Sequence, residues 1–230
     1  MKLKKIASLA LAGIMAVSML AGCGEGISNS GSSSSETTNP STGVSATLYN
    51  ELSDATKSKI KFNDSAELNS VLAKNVGSVG YDLLSDIYDG TDYKSVKYIE
   101  VNTGATGVLN NVGRNMIADL EAANTNNTNM SGAIGELNPT AGNQDEKSVN
   151  VVLLFAVNNG VDTNNALAAV AKMIDNDVKA LKVDNDEVNN NASELRYTYT
   201  GSVSATTKVD SNNHGKGMTF IAVELVRTLG

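Results

Sequence analysis

The residues able to do chemistry in this chain are few: one cysteine (Cys23), one histidine (His214) and 25 carboxylates. A single thiol and a single imidazole exclude a disulfide framework and any multi-His or multi-Cys metal site. His214 lies in the polar stretch Asp210-Ser211-Asn212-Asn213-His214-Gly215-Lys216-Gly217. A Ser-His-Asp site needs an imidazole held between an acid and a nucleophile, whereas this one reads as a solvated residue at a hairpin tip. The acids leave two openings. Calcium wants carboxylates and carbonyls, and Asp184, Asp186 and Glu187 are the densest donors, with Asp86, Asp89 and Asp92 next. Counted as an EF-hand loop from Asp184, however, the fifth position is Val188 and the twelfth Leu195. Asp82, Asp86 and Asp89 fall at i, i+4 and i+7, the wet face of a helix. Glycoside hydrolysis needs only two carboxyl groups, but no spacing here selects a pair. The expected cofactor is therefore none, with calcium the one ion the acids could hold.

Charge narrows the partners. The formal net charge is −7. Beyond Lys2, Lys4 and Lys5 the chain carries 15 basic against 25 acidic residues, so phosphate neutralisation will not hold it to nucleic acid. Aromatic content of 4% with no Trp argues against base-stacking and sugar-stacking platforms. The compositional oddity is asparagine, 28 residues, concentrated at Asn124–Asn129 and Asn189–Asn191. Residues 124–147 show no periodicity over a span longer than an ordinary connection. Asn126, Asn127 and Asn129 are therefore candidates for a contact surface, the plain alternative being a solvated loop. Thr198, Thr200 and Ser202, with Ser204 and Thr206, form a row of hydroxyls that could dock a glycan or a partner strand. Asn126-Asn127-Thr128, Asn129-Met130-Ser131 and Asn191-Ala192-Ser193 match the glycosylation sequon, read here as accidental.

Thr103-Gly104-Ala105-Thr106-Gly107, between a strand and a helix, resembles the pyrophosphate-cradling loop of extended short-chain dehydrogenases. The resemblance covers about ten residues and then departs, because position 110 is Asn and Gly113 comes three residues late. Lys97 and Glu100 also interrupt the preceding strand, and no acid follows where the ribose would need one. The segment reads as a glycine-permissive turn into a helix.

The chain starts with a basic stretch (Met1–Lys5), an apolar run (Ile6–Ala21) and Leu20-Ala21-Gly22-Cys23. The run has signal-peptide length, short of the about 20 apolar residues of a spanning helix. The last four residues resemble the lipobox of bacterial lipoproteins. That resemblance implies that the Cys23 thiol accepts diacylglycerol, that cleavage precedes it, and that palmitate or a similar acyl chain completes the anchor. Residues 1–22 are then a signal peptide. Residues 23–43, rich in Ser, Thr and Gly, form a flexible tether, and residues 44–230 form one α/β domain with a helical start (44–92).

Within that domain, Asp64 and Glu67 suggest a capping box opening a helix over about 65–88, weakened by Gly77 and Gly80. A shorter helix is expected near 46–57, followed by the alternating Ile60 and Phe62. Lys94–Val101 reads as a strand, and Leu109, Val112, Met116, Ile117 and Leu120 as a second helix. The apolar run within Ser148–Val157 reads as a strand buried on both faces. Asp162 or Thr163 caps a third helix through Leu181. Residues 195–209 alternate with period two, Gly201 suggesting a bulge, and Met218–Leu229 returns as the partner of a long antiparallel hairpin. The order α-β-α-β-α-β-β predicts a mixed sheet with helices mainly on one face and parallel neighbours across the helical crossovers.

These features imply a lipid-anchored envelope protein facing outward from the cell membrane, more a binding or interaction module than an enzyme. The membrane would be met through the lipid, and a wall glycan or protein would be the partner. The alternatives are an envelope hydrolase using paired carboxylates and a small-ligand carrier.

Overall fold

The computed structural model describes residues 43–80, 92–101, 107–125, 129–185, 195–210 and 215–230. All lie in one compact unit, Thr37–Gly230. Chain order is α1 (Gly43–Glu51), α2 (Asp54–Lys57), β1 (Ile60–Phe62), α3 (Ala66–Gly77), a 3-10 turn (Asp92–Lys94), β2 (Lys97–Ile99), α4 (Val108–Asp119), α5 (Met130–Gly135), β3 (Ser148–Asn158), α6 (Thr163–Lys179), β4 (Tyr197–Val209) and β5 (Gly217–Leu229).

The strands form one mixed five-stranded sheet, β1-β4-β5-β3-β2, so the fold class is α/β as expected. The β4–β5 hairpin runs in unbroken register from Tyr197↔Leu229 to Val209↔Gly217. Only β1 and β4 run parallel as neighbours; the other pairs are antiparallel. The expected parallel neighbours across α6 are separated, because β5 inserts between β3 and β4 and pairs with both.

The expectation of helices mainly on one face is corrected. Val151, Leu153, Phe155 and Val157 of β3 pack with α1, α5 and α6, while Val152, Leu154 and Ala156 pack with α3 and α4. Alternate residues of a strand point to opposite faces, and β3 and β5 are apolar on both, so each face needs its own cover.

Local chemistry sets the element ends. The first expected helix is two, since Ser53 breaks it and caps α2, its side chain accepting from Thr56 N–H. The α3 helix is capped by Ser65, which accepts from Leu68 N–H at 3.1 Å, rather than by Asp64. It stops at Gly77, where the Lys208 ammonium donates to the carbonyls of Val76, Gly77 and Val79. A cation on the last carbonyls is the favourable end for a helix dipole. The expected continuation to residue 88, with Asp82, Asp86 and Asp89, lies outside the described residues. Asp162 caps α6 as expected, accepting from Asn164 and Asn165 N–H. Gly201 is no bulge. It pairs regularly with Leu225, and a Cβ there would sit 2.6 Å from the Phe62 ring, so its missing side chain is what lets Phe62 pack.

Candidate functional site

Polar side chains complete both sides of the sheet where strands are missing. On the β3 edge, Asn124 is fully buried, donates to Val152 C=O at 2.8 Å and accepts from Val152 N–H at 3.1 Å. On the β4 edge, the buried Ser45 hydroxyl accepts from Val203 N–H at 3.1 Å and lies 3.3 Å from the Val203 carbonyl. A side chain carrying both donor and acceptor substitutes for the absent strand, as buried backbone groups require.

Asparagine abundance acquires a reason from the same rule. Asn138 accepts from Lys182 N–H, Asn185 from Leu195 N–H, and Asn159 both accepts from Gly217 N–H and donates to Gly215 C=O. Asn129 caps α5, accepting from Gly132 N–H at 2.7 Å. The 124–147 stretch expected to offer a contact surface is in its described part tied inward. Ala133, Ile134 and Leu137 join the core, and the fully buried Arg227 guanidinium donates to Leu137 C=O and to both oxygens of Asn143. Arg227 also lies 4.8 Å from the Tyr197 ring centre. Asn126 and Asn127 lie outside the described residues.

The outer side of β4 carries a cleft. Two segments share this edge. Tyr197 N–H donates to Val183 C=O at 2.9 Å, with Asp184 bridging antiparallel to Arg196. Three residues on, β1 runs parallel, placing Lys61 beside Thr200. At the seam between them lies a cleft of about 510 Å³, within the range of small-ligand sites. Thr198, Thr200 and Lys61 are exposed along it, Val183 is 41% exposed, and Ser58, Lys59 and the edges of Tyr197 and Tyr199 complete the wall. Lys59 is committed to the end of α6, donating to the Lys179 and Leu181 carbonyls. The tyrosine hydroxyls point away, that of Tyr197 to Gln144 C=O and that of Tyr199 to Lys182 C=O. Burial raises the Tyr199 hydroxyl to about 12, with Arg227 lowering it and Tyr197 and Asp184 adding to the rise.

Two of the three hydroxyl-row candidates therefore line this cleft. The third, Ser202, is buried under the helices and donates to the Glu224 carboxylate at 3.2 Å. Lys61 and Val183 escaped the sequence reading. The alternation Ile60-Lys61-Phe62 did mark Lys61 as outward, but only the parallel register puts it beside Thr200.

Asp184 takes part in the bridge to Arg196, while Asp186 and Glu187 lie outside the described residues, as do Cys23 and His214. Among the described residues no three His, Cys, Asp or Glu side chains gather into a metal-ion group. Of the dehydrogenase-like loop, Gly107 precedes α4, and Thr103 to Thr106 lie outside the described residues. Gly113 has a packing role: a Cβ there would come within 2.5 Å of the Val101 side chain.

A general acid needs a carboxyl held above its usual range. The two described carboxyls with shifted acidity go the other way. Asp119 is lowered by the Asn75 amide and then by Lys74. For Asp175, burial pushes upward, but the Ser53 N–H and the Thr56 and Ser53 hydroxyls outweigh it, with help from Lys179, and the carboxyl ends low. Both are busy joining elements: Asp119 holds α3 to α4, and Asp175 holds the start of α2 to α6. A second cavity, about 330 Å³, lies along α4 between Val101, Ile117, Ala118 and Ala122, with Arg114 and Glu121 at its polar side. Comparison with protein-family models, curated proteins and solved structures finds no match for this chain.

Proposed function

We propose that this chain is a lipid-anchored protein of the cell envelope, held at the outer side of the membrane through Cys23, whose domain is a non-enzymatic binding module. The observation that carries the anchor is Leu20-Ala21-Gly22-Cys23 after a basic start and a 16-residue apolar run. A diacylglyceryl group with a further acyl chain makes a stable anchor, since each buried CH₂ contributes about 0.8 kcal/mol and one chain alone is marginal. Support for a binding module comes from the open cleft at the β4 seam and from described acids with shifted acidity that serve as structural links. The described strands form one sheet, whereas a hinged carrier closes two lobes around its ligand, so the carrier reading draws no support from the fold.

Cells expressing the chain and fed an alkynyl palmitate test the anchor. The wild-type protein takes up label and sediments with membranes, and Cys23→Ala does neither. Unlabelled wild type, or label that persists in Cys23→Ala, refutes it.

A further inference from the structure

We infer that the cleft at the β4 seam binds a hydroxyl-rich monoanion, a phosphodiester or carboxylate carried on a polyol or sugar. This deepens the binding-module reading and rests on it, though not on the lipid anchor. The argument starts from Lys61. Its ammonium is exposed at the cleft and, among the described residues, makes no hydrogen bond or ion pair, although the chain as a whole carries a net charge of −7. Lysines of similar length nearby are engaged: Lys59 on the end of α6, and Lys57 on Asn50 C=O. The fold thus leaves one ammonium at the cleft with all three donors available.

Beside it the parallel register sets Thr200, and Thr198 follows two residues back on the same face. Their hydroxyls are exposed, and each can both donate and accept, which suits a polyol better than a bare anion. The cleft is also too large for phosphate alone, at about 510 Å³. Val183, 41% exposed, adds apolar surface to the lining for the carbon skeleton. Asp184 adjoins Val183, is engaged, and its charge is felt by the Tyr197 and Tyr199 hydroxyls. A dianion would meet that carboxylate, so a single negative charge fits best. The Tyr199 hydroxyl ties the Lys182 carbonyl, next to Val183, to β4.

The test is calorimetric titration of the full chain, purified in detergent, with the phosphodiester glycerophosphoglycerol, galacturonate and uncharged glycerol. The expected result is saturable binding of one or both anions at low salt, weakening with ionic strength, and none for glycerol. Lys61→Gln weakens it about ten- to a hundredfold, the cost of a lost charge-assisted hydrogen bond. Thr200→Val, which keeps the branched shape, weakens it several-fold. Lys172→Gln, removing another exposed lysine from α6 on the opposite face, leaves binding unchanged. Lys61→Gln should also melt at the wild-type temperature, because no described residue leans on that ammonium. Absence of binding by both anions overturns the inference, as does equal binding by Lys61→Gln or equal loss in Lys172→Gln. The preferred anion assigns the charged group. Repeating the titration on Cys23→Ala separates the two proposals, since the cleft binds whether or not the anchor forms.

Discussion

Replacing Asn124 by Ala puts the role of side chains as surrogate strands to the test. Asn124 makes two hydrogen bonds to the backbone of Val152, at 2.8 and 3.1 Å, both fully buried. Truncation leaves the Val152 N–H and C=O facing a void with no partner. Each unsatisfied buried group costs about 1–3 kcal/mol, so the expected loss is roughly 2–6 kcal/mol. A small cavity adds to this, and the nearby Ala123 N–H to Asn150 C=O bond, 2.9 Å, limits collapse of the loop. For a domain of this size about 1 kcal/mol moves the melting midpoint 2–4 °C, so the midpoint should fall by roughly 5–15 °C. Urea denaturation followed by circular dichroism measures the loss, and amide hydrogen exchange locates it at Val152. Asn164→Ala is the control: Asn164 is exposed on the first turn of α6 and should stay within about 0.5 kcal/mol of wild type. A loss under about 1 kcal/mol for Asn124→Ala, or unchanged protection at Val152, would refute the reasoning.

Two further outcomes follow from the packing. Gly201→Ala should lose roughly 1–3 kcal/mol, because its Cβ would fall 2.6 Å from the Phe62 ring, and Phe62→Leu in the same chain should recover part of that loss by denaturant titration. Stability should also fall between pH 10 and 12. Burial raises the Tyr98 and Tyr199 hydroxyls from 10.0 to about 12, Glu100 adding to the effect at Tyr98, so both stay protonated in the folded state when the unfolded chain has ionised. That stability is complete below pH 10 and lost as pH rises through 12. Tyr98→Phe should shrink the loss, and should not destabilise at neutral pH, since its buried hydroxyl has no hydrogen-bond partner. Urea midpoints from pH 7 to 12 read both effects.

The elements whose evidence is local were legible in the amino-acid order. Period-two alternation over residues 197–209 can be satisfied only by a strand with unlike faces, and the run within 148–158 only by one covered on both. Asp162 announced α6 because a cap acts within three residues of itself. The lipobox pattern and the hydroxyl pair Thr198 and Thr200 could be read in the same way. What tertiary structure decided depends on partners far apart in sequence. A β5 strand inserted between β3 and β4 separated the expected parallel neighbours, and helices came to cover both faces rather than one. The asparagines looked like surface until their partners were in place: Asn124 faces Val152, 28 residues on, and is buried only because β2 is too short to cover that stretch of β3. Lys61 meets Thr200 across a parallel register that no window of sequence contains. Periodicity is a property of one segment, whereas register and burial belong to pairs of segments. The chain order therefore determined the parts, and packing determined which polar groups became structure and which stayed open to a ligand.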